Sequence, residues 1–367
     1  MTHAALPATA RPRAVAIWLL LIAAMVFGIV VVGGITRLTE SGLSMVRWEP
    51  IKGVLPPMSP DAWAREFAAY KASPQYQSVN AGMTLAAFKG IYFWEYLHRL
   101  LARSVGVAFA LPLLWFAWRR AIPPGYGLRL GIILALGALQ GGIGWWMVAS
   151  GLVDRPAVAH ERLATHLLMA LAIMSACLWT ALDLLGAGRP VRVRRPTGWI
   201  VPFFLLLVVQ IGFGAFVAGL RAGHMYNMWP LMGDGLVPPD MGIYAPLWRN
   251  LLDNPVTIQF VHRSLAVVVA VAAIWVAMRL VRASAPHHGG ALAAMVLVQF
   301  ALGVLTLVHD VPIPLGVAHQ AGAALLLGVS VVAAHWCWQG RGASLRARPK
   351  PPSVSSARRW RLLRPIR

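Results

Sequence analysis

Eight long apolar runs constrain the fold of this chain more than any other feature of its sequence. Of its 367 residues, 58% are hydrophobic and only 12% are charged, a balance outside the range of soluble globular domains. Each run can cross a bilayer, which takes about 20 residues, and backbone groups in lipid must be satisfied within a helix. The sequence therefore predicts an all-α integral membrane protein with eight transmembrane helices. The runs cover residues 15–34, 91–118, 128–149, 161–185, 198–218, 256–280, 290–309 and 316–338.

The net charge of +21 is distributed in a way that indicates membrane orientation. If the N-terminus is cytoplasmic, the inner segments carry most of the Lys and Arg residues and a single acid, Asp183. The outer segments then carry basic and acidic residues in equal number, which is the positive-inside bias. We therefore expect both termini in the cytoplasm and no nucleic-acid partner. The basic tail, residues 341–367, is expected to be disordered or to lie on anionic lipid.

The sequence contains an internal duplication, visible as short segments that recur in the same order. Gln140 and Gly144 share a Gln-x-x-x-Gly frame with Gln299 and Gly303. Because each half holds an even number of spans, the halves are expected to be parallel repeats. The prediction is two pseudo-symmetric four-helix bundles, residues 1–190 and 191–340, joined through the basic linker 189–195. The other matching segments are 32–37 with 217–221, 53–57 with 235–239, and 95–102 with 259–266, and Trp48 and Trp229 occupy the two outer loops.

Four of the eleven histidines are predicted to bind a cofactor, one pair in each half. Each lies within about eight residues of the outer end of its span, so all four lie at comparable depth. Two imidazoles facing each other across a helix bundle can supply both axial ligands of a haem iron. Zinc is disfavoured because it takes three or four ligands including carboxylate or thiolate, and copper because no Cys or Met has a suitable spacing. The four residues are His98, His166, His262 and His319.

One residue distinguishes the two halves: Glu95 precedes His98 by three positions, and Gln259 takes the same place before His262. Two interpretations stay open. In one, Glu95 and the following Arg99 form an intrahelical ion pair that only neutralises charge in lipid. In the other, Arg99 binds a haem propionate, as Arg263 would, and Glu95 is free to act as a general base or to hold a water.

These residues resemble the haem A synthase family over nearly all of the chain before the basic tail. The motifs that carry the resemblance are the segment 33–44, the Glu95-x-x-His98-Arg99 helix, and the segment 312–315 with His319-Gln320. The chain has no cysteine between Arg37 and Lys89, which is typical of the cysteine-free branch found in alphaproteobacteria and mitochondria.

The resemblance implies oxidation of the ring methyl of haem O to a formyl group through hydroxylated intermediates, giving haem A for terminal oxidase assembly. It implies haem b held by His262 and His319, substrate haem between His98 and His166, and an essential carboxylate at Glu95. Four arginines are candidate propionate or charge partners: Arg99, Arg263, Arg37 and Arg221. Expected partners are haem O, the bilayer, an electron-transfer partner of unidentified type, haem O synthase and oxidase assembly factors.

Two other functions fit parts of the pattern. A di-haem cytochrome b that only carries electrons would use the same four histidines, but it leaves the difference between Glu95 and Gln259 unexplained. A transporter would suit the parallel repeats, but the polar residues cluster in the outer leaflet and the spans are unbroken. The short N-terminus has no evident transit peptide, which favours a bacterial inner membrane.

Overall fold

We describe the protein from a computed structural model that covers residues 9–47, 52–153, 155–186 and 198–346. Three features named above lie outside these residues: Trp48, the basic linker 189–195, and the tail after residue 346. From residue 340 onwards the description of the last helix is limited to its backbone.

The described residues form an all-α protein without a β-strand, and the prediction of eight membrane-spanning helices is confirmed. Eight helices are long and apolar enough to cross a bilayer, and three shorter ones lie in the loops between them. The spans are α1 (Pro12–Leu38), α4 (Leu85–Trp118), α5 (Gly127–Val153), α6 (His160–Leu185), α7 (Ile200–Gly219), α9 (Pro255–Arg282), α10 (Pro286–Val308) and α11 (Ile313–Arg346). The loop helices are α2 (Pro60–Lys71), α3 (Pro74–Ser78) and α8 (Asn250–Asp253).

The ends of the helices follow from local sequence signals. Prolines such as Pro12 and Pro255 occupy the first helical turn, where their missing N–H is no loss. Asn254 caps α9 by accepting a hydrogen bond from the Val256 amide at 2.9 Å. Thr84 caps α4 in the same way, accepting from the amide of Ala87 at 3.2 Å.

Helix α4 begins several residues before the apolar run that predicted it. Its extra turns carry Phe88, which packs with Tyr92 one turn further along α4, with Phe67 and Tyr70 of α2, and with Met45 in a buried cluster. The rings of Phe67 and Phe88 lie 5.0 Å apart between centroids. We call these five residues the loop cluster. Helix α4 extends into the loop region because this cluster buries apolar surface there.

Each of the eight spans packs on at least two others. In the N-terminal half, α1 packs on α4 and α6, and α5 also packs on α4 and α6. In the C-terminal half, α9 packs on α7 and α10, and α11 also packs on α7 and α10. Contacts between the halves run through α1 with α11, α6 with α7, and α6 with α11. Apolar side chains such as Leu111 and Leu205 remain exposed on the outer faces of the spans, where a bilayer would cover them.

Polar contacts join the halves at both ends of the spans. At the end that carries the long loops, Arg37 donates to the carbonyl oxygens of Ala218 and Gly219, at 2.8 and 3.2 Å. At the opposite end, Asp183 of α6 accepts from Arg129 of α5 at 2.5 Å. Its other oxygen lies 2.8 Å from Nε2 of His335 in α11. The single acid predicted on the inner side is therefore paired with two basic groups.

Candidate functional site

The four predicted histidines lie on four different spans, one pair in each half. His262 of α9 and His319 of α11 face each other with ring centroids 6.5 Å apart and ring planes at 89°. His98 of α4 and His166 of α6 lie close enough to interact electrostatically. The structure thus brings together the residues that the sequence paired, and it leaves their ligand roles as predictions.

Each histidine ring packs against a glycine of a neighbouring span. A Cβ atom placed on Gly303 would lie 2.8 Å from Cε1 of His319, and one on Gly214 would lie 3.0 Å from Cε1 of His262. The same holds for Gly144, 2.9 Å from Cε1 of His166. Gly33 lies against His98, with 3.2 Å between its Cβ position and Nε2 of the ring. A side chain larger than glycine would force the imidazole to shift at Gly303 and Gly144, and it would crowd the ring at Gly214 and Gly33.

Three of these glycines follow a glutamine by four residues, and each glutamine contacts the histidine beside it. Gln140 donates to the backbone oxygen of His166 at 2.9 Å, and Gln299 to that of His319 at 3.0 Å. Gln210 donates to the oxygen of His262 at 3.1 Å. Gln140 and Gln299 were recognised in the sequence only as landmarks of the repeat, and Gln210 was not recognised. The signal was available, because Gln210 and Gly214 have the same Gln-x-x-x-Gly spacing.

The carboxylate of Glu95 is buried, with 3% of the residue exposed, and both of its oxygens accept hydrogen bonds. Arg99 donates to Oε1 at 2.6 Å. The Ser44 hydroxyl donates to Oε2 at 2.7 Å, and the Met45 amide donates to the same oxygen at 2.8 Å. The ion pair between Glu95 and Arg99 is therefore formed, and binding of a haem propionate by Arg99 stays a prediction. Ser44 was not recognised from the sequence as a partner of Glu95, although Ser44 is the last residue of the family motif 33–44.

The corresponding site in the C-terminal half has an arginine, Arg263, but a neutral glutamine, Gln259, in place of the carboxylate. Arg263 donates to the backbone oxygens of Pro230 and Leu231, at 2.9 and 3.0 Å, much as Arg99 donates to that of Met45 at 2.9 Å. Gln259, 2% exposed, donates to the Tyr226 oxygen at 3.2 Å. Each arginine thus fastens an outer loop to its helix.

Several buried polar atoms around this C-terminal site have no hydrogen-bond partner among the described residues. They include Nη1 of Arg263 and Oε1 of Gln259. Buried polar atoms are nearly always paired, so unpaired ones beside a candidate site indicate room for a polar group of a ligand. A carboxylate such as a haem propionate would suit Nη1 of Arg263.

The two remaining arginines of the prediction lie at the junction of the halves. Arg221 forms an ion pair with Glu40, and Arg37 binds the carbonyl oxygens that end α7. Nε of Arg37 is buried without a partner in the described part of the chain. Both residues therefore act as charge or hydrogen-bond partners between the halves, and binding of a propionate by either stays a prediction.

The set of donors fits haem better than a bare metal ion. In the described ranges, no three His, Cys, Asp or Glu side chains are placed to share one ion. A porphyrin supplies four nitrogen ligands itself, so a pair of imidazoles completes the coordination of its iron.

Comparison with known proteins gives the family. The model of the COX15-CtaA family, described as cytochrome oxidase assembly protein, matches residues 16–331. The chain belongs to this family. The match spans both histidine pairs and Glu95, so the whole candidate site lies within the family region.

Curated relatives of the chain are similar over most of its length. It is 52% identical over 327 residues to a heme A synthase of Rhizorhabdus wittichii, covering 89% of this chain and 94% of that one. It is 48% identical to a heme A synthase of Rhodopseudomonas palustris strain BisA53, covering 96% and 99%. A heme A synthase of Caulobacter vibrioides is 49% identical, covering 90% and 97%.

Proposed function

We propose that this protein is a haem A synthase of the membrane, which oxidises the ring methyl of haem O to a formyl group. The observation that carries the proposal is the difference between two otherwise similar sites, a buried carboxylate at Glu95 and a neutral amide at Gln259. The full-length similarity to heme A synthases supports the same function. The product, haem A, serves the assembly of terminal oxidases.

The two sites belong to two repeated halves, residues 1–190 and 191–340. The packing supports this division, because α1 in the first half and α7 in the second have matching neighbours. Helix α1 contacts α4, α6 and, across the junction, α11; helix α7 contacts α9, α11 and, across the junction, α6. A parallel repeat of one four-helix bundle has this pattern.

The C-terminal half holds haem b through His262 and His319. Three features of the residues support a bound haem there: the facing rings, the glycines that admit them, and the unpaired Nη1 of Arg263, which could bind an anionic group. Bound haem b would supply one-electron transfer. Gln259 is a neutral amide and would not take up a proton beside a haem bound there.

The N-terminal half receives haem O between His98 and His166, and Glu95 is its catalytic residue. No other of the four histidines has a carboxylate three or four positions away in the sequence. Oxidation of a methyl group to a formyl group takes one oxygen atom, here from water, and releases four electrons and four protons. Glu95 would take up a proton at one of its oxygens, while Arg99, Ser44 and the Met45 amide hold the carboxylate in place.

The protein lies in a bacterial inner membrane with both termini in the cytoplasm, an orientation that the positive-inside charge bias supports. The long loops then lie on the outer side, and the four histidines lie in the outer leaflet. Haem O synthase and oxidase assembly factors are its expected neighbours in the membrane, and an electron-transfer partner takes up the electrons.

The test of the proposed function is the haem content of the protein purified from membranes that also make haem O. We expect extraction and mass spectrometry to give haem b together with haem O, hydroxylated haem O or haem A. Haem b alone, in two equivalents per chain, would instead indicate an electron-carrying cytochrome. A protein without any haem would overturn the proposal.

Replacing Gly303 with alanine is expected to lower the haem b content severalfold. The new Cβ would lie 2.8 Å from Cε1 of His319, so the imidazole must leave its position. Gly290→Ala on the same helix is the matched control, since no atom lies within 4 Å of its Cβ position. The measurement is the haem b absorbance per milligram of purified protein. A normal haem b content in Gly303→Ala would contradict the assigned ligand.

A further inference from the structure

The glutamines beside the histidines differ in how they contact the imidazole rings. Nε2 of Gln210 lies 3.1 Å from Nδ1 of His262, and Nε2 of Gln299 lies 3.2 Å from Nδ1 of His319. Each amide therefore bridges the ring and the backbone oxygen of one histidine. Gln140 reaches only the backbone oxygen of His166, whose Nδ1 is buried without a partner among the described residues.

His98 has no such glutamine at all. Ile29 stands four residues before Gly33, in the place that glutamine takes before the other three glycines. The His98 ring is also turned differently, because its Nε2 and Cδ2 atoms face the glycine, where the other three rings present Cε1. The rings of the C-terminal half are thus contacted by a glutamine amide at Nδ1 as well as by a glycine. Among the described residues, the rings of the N-terminal half are contacted by a glycine without such an amide.

We propose that Gln210 and Gln299 are positioning residues that lock the ring planes of His262 and His319, and that the absence of this lock leaves His98 and His166 as exchangeable ligands. The inference rests on the proposed function, which assigns a resident haem to one half and a substrate haem to the other. It explains from this chain's own residues how two similar histidine pairs serve these two purposes.

The physical basis is the restraint of ring rotation. Nε2 of the amide contacts the ring at Nδ1 and the glycine backbone lies against the neighbouring Cε1, so the ring cannot turn about its Cβ–Cγ bond without losing both contacts. Residues that orient a metal-binding histidine typically change metal affinity by about 10- to 100-fold. A substrate haem must enter and leave in every catalytic cycle, so ligands without this restraint suit it better than a tightly held pair.

The ring planes provide a readout that general damage to packing would not reproduce. The planes of His262 and His319 lie at 89° to each other. Nearly perpendicular axial imidazoles give ferric haem a strongly anisotropic low-spin electron paramagnetic resonance signal. Rings that are free to turn approach other angles, and the signal then becomes less anisotropic.

The test uses Gln210→Met and Gln299→Met, which keep the side-chain length and remove the amide. We expect a less anisotropic signal from the haem b of both variants. We also expect transfer of haem b to apomyoglobin to be faster than in the wild type by about 10-fold or more. Circular dichroism on heating checks that both variants fold.

Gln140→Met is the matched control, since it removes a buried amide that bonds only to a histidine carbonyl. It should keep the wild-type haem b signal and transfer rate. Conversely, Ile29→Gln adds an amide beside His98 and should slow the loss of substrate haem severalfold.

The outcomes separate this proposal from the proposed function. Three results would each overturn this proposal without touching the proposed function. The first is a wild-type signal and transfer rate in both Gln210→Met and Gln299→Met. The second is an equal effect of Gln140→Met on haem b, and the third is an unchanged loss of substrate haem in Ile29→Gln. A wild-type protein that contains no haem b would overturn the proposed function as well.

Discussion

Replacing Glu95 with glutamine is expected to lower haem A formation by at least about 100-fold while haem b stays bound. The variant loses the only carboxylate one helical turn from a predicted iron ligand. A glutamine has nearly the same shape, but it cannot take up a proton at physiological pH. The expected effect is therefore on the chemical step.

The variant should fold, because the protein already contains this substitution in its second half. Gln259 is buried at the equivalent position, and Arg263 still fastens the outer loop through two carbonyl oxygens. In Glu95→Gln, Arg99 keeps its bonds to the backbone oxygens of Met45 and Arg47, at 2.9 and 3.2 Å. The lost ion pair lowers stability, but the fastening of the loop remains.

The measurement is conversion of supplied haem O by membranes that contain the variant, followed by extraction and mass analysis. Glu161→Gln is the control, since this carboxylate lies in the first turn of α6 with half of its side chain exposed. It should keep wild-type conversion. Full conversion of haem O by Glu95→Gln would show that the buried carboxylate only neutralises Arg99.

Replacing His319 or His262 with alanine is expected to lower the haem b content by more than about 10-fold. Loss of a partner that merely orients a ligand already costs about 10- to 100-fold in metal affinity, and loss of the ligand itself costs more. His98→Ala should leave the haem b content close to that of the wild type, because we propose that the half containing His98 receives the substrate.

The amounts of haem b are compared in purified variants by pyridine haemochrome spectra. His309→Ala is a control in the same half, since this histidine is exposed at the end of α10. An equal loss of haem b from His98→Ala and His319→Ala would favour a cytochrome with two equivalent haems. It would contradict the division of roles between the halves.

Most of the fold could be predicted from the sequence, because lipid leaves a long apolar segment few alternatives. All eight predicted spans are helices of the structure, and the differences are at their ends. Helix α4 begins at Leu85 and not near residue 91, since its first turns lie outside the apolar run. Their burial depends on the loop cluster, whose members come from distant parts of the chain.

The candidate site could be predicted only in part. The four histidines and Glu95 were recognisable because polar residues inside apolar runs are costly and therefore conspicuous. Ser44 and Gln210 were not recognised as contacts. A serine in a loop and a glutamine near the middle of a span have many uses, and only their neighbours show which one applies.

The sequence by itself determined the helical membrane architecture, the pairing of histidines and the contrast between Glu95 and Gln259. These follow from local composition and from repetition, which the chain displays along its length. Only the tertiary structure decided that Arg99 binds Glu95, that Ser44 completes the carboxylate site, and that two imidazoles are held at Nδ1 while the other two are not. Such contacts join atoms from different helices, and their existence depends on distances and directions that no spacing along the chain specifies.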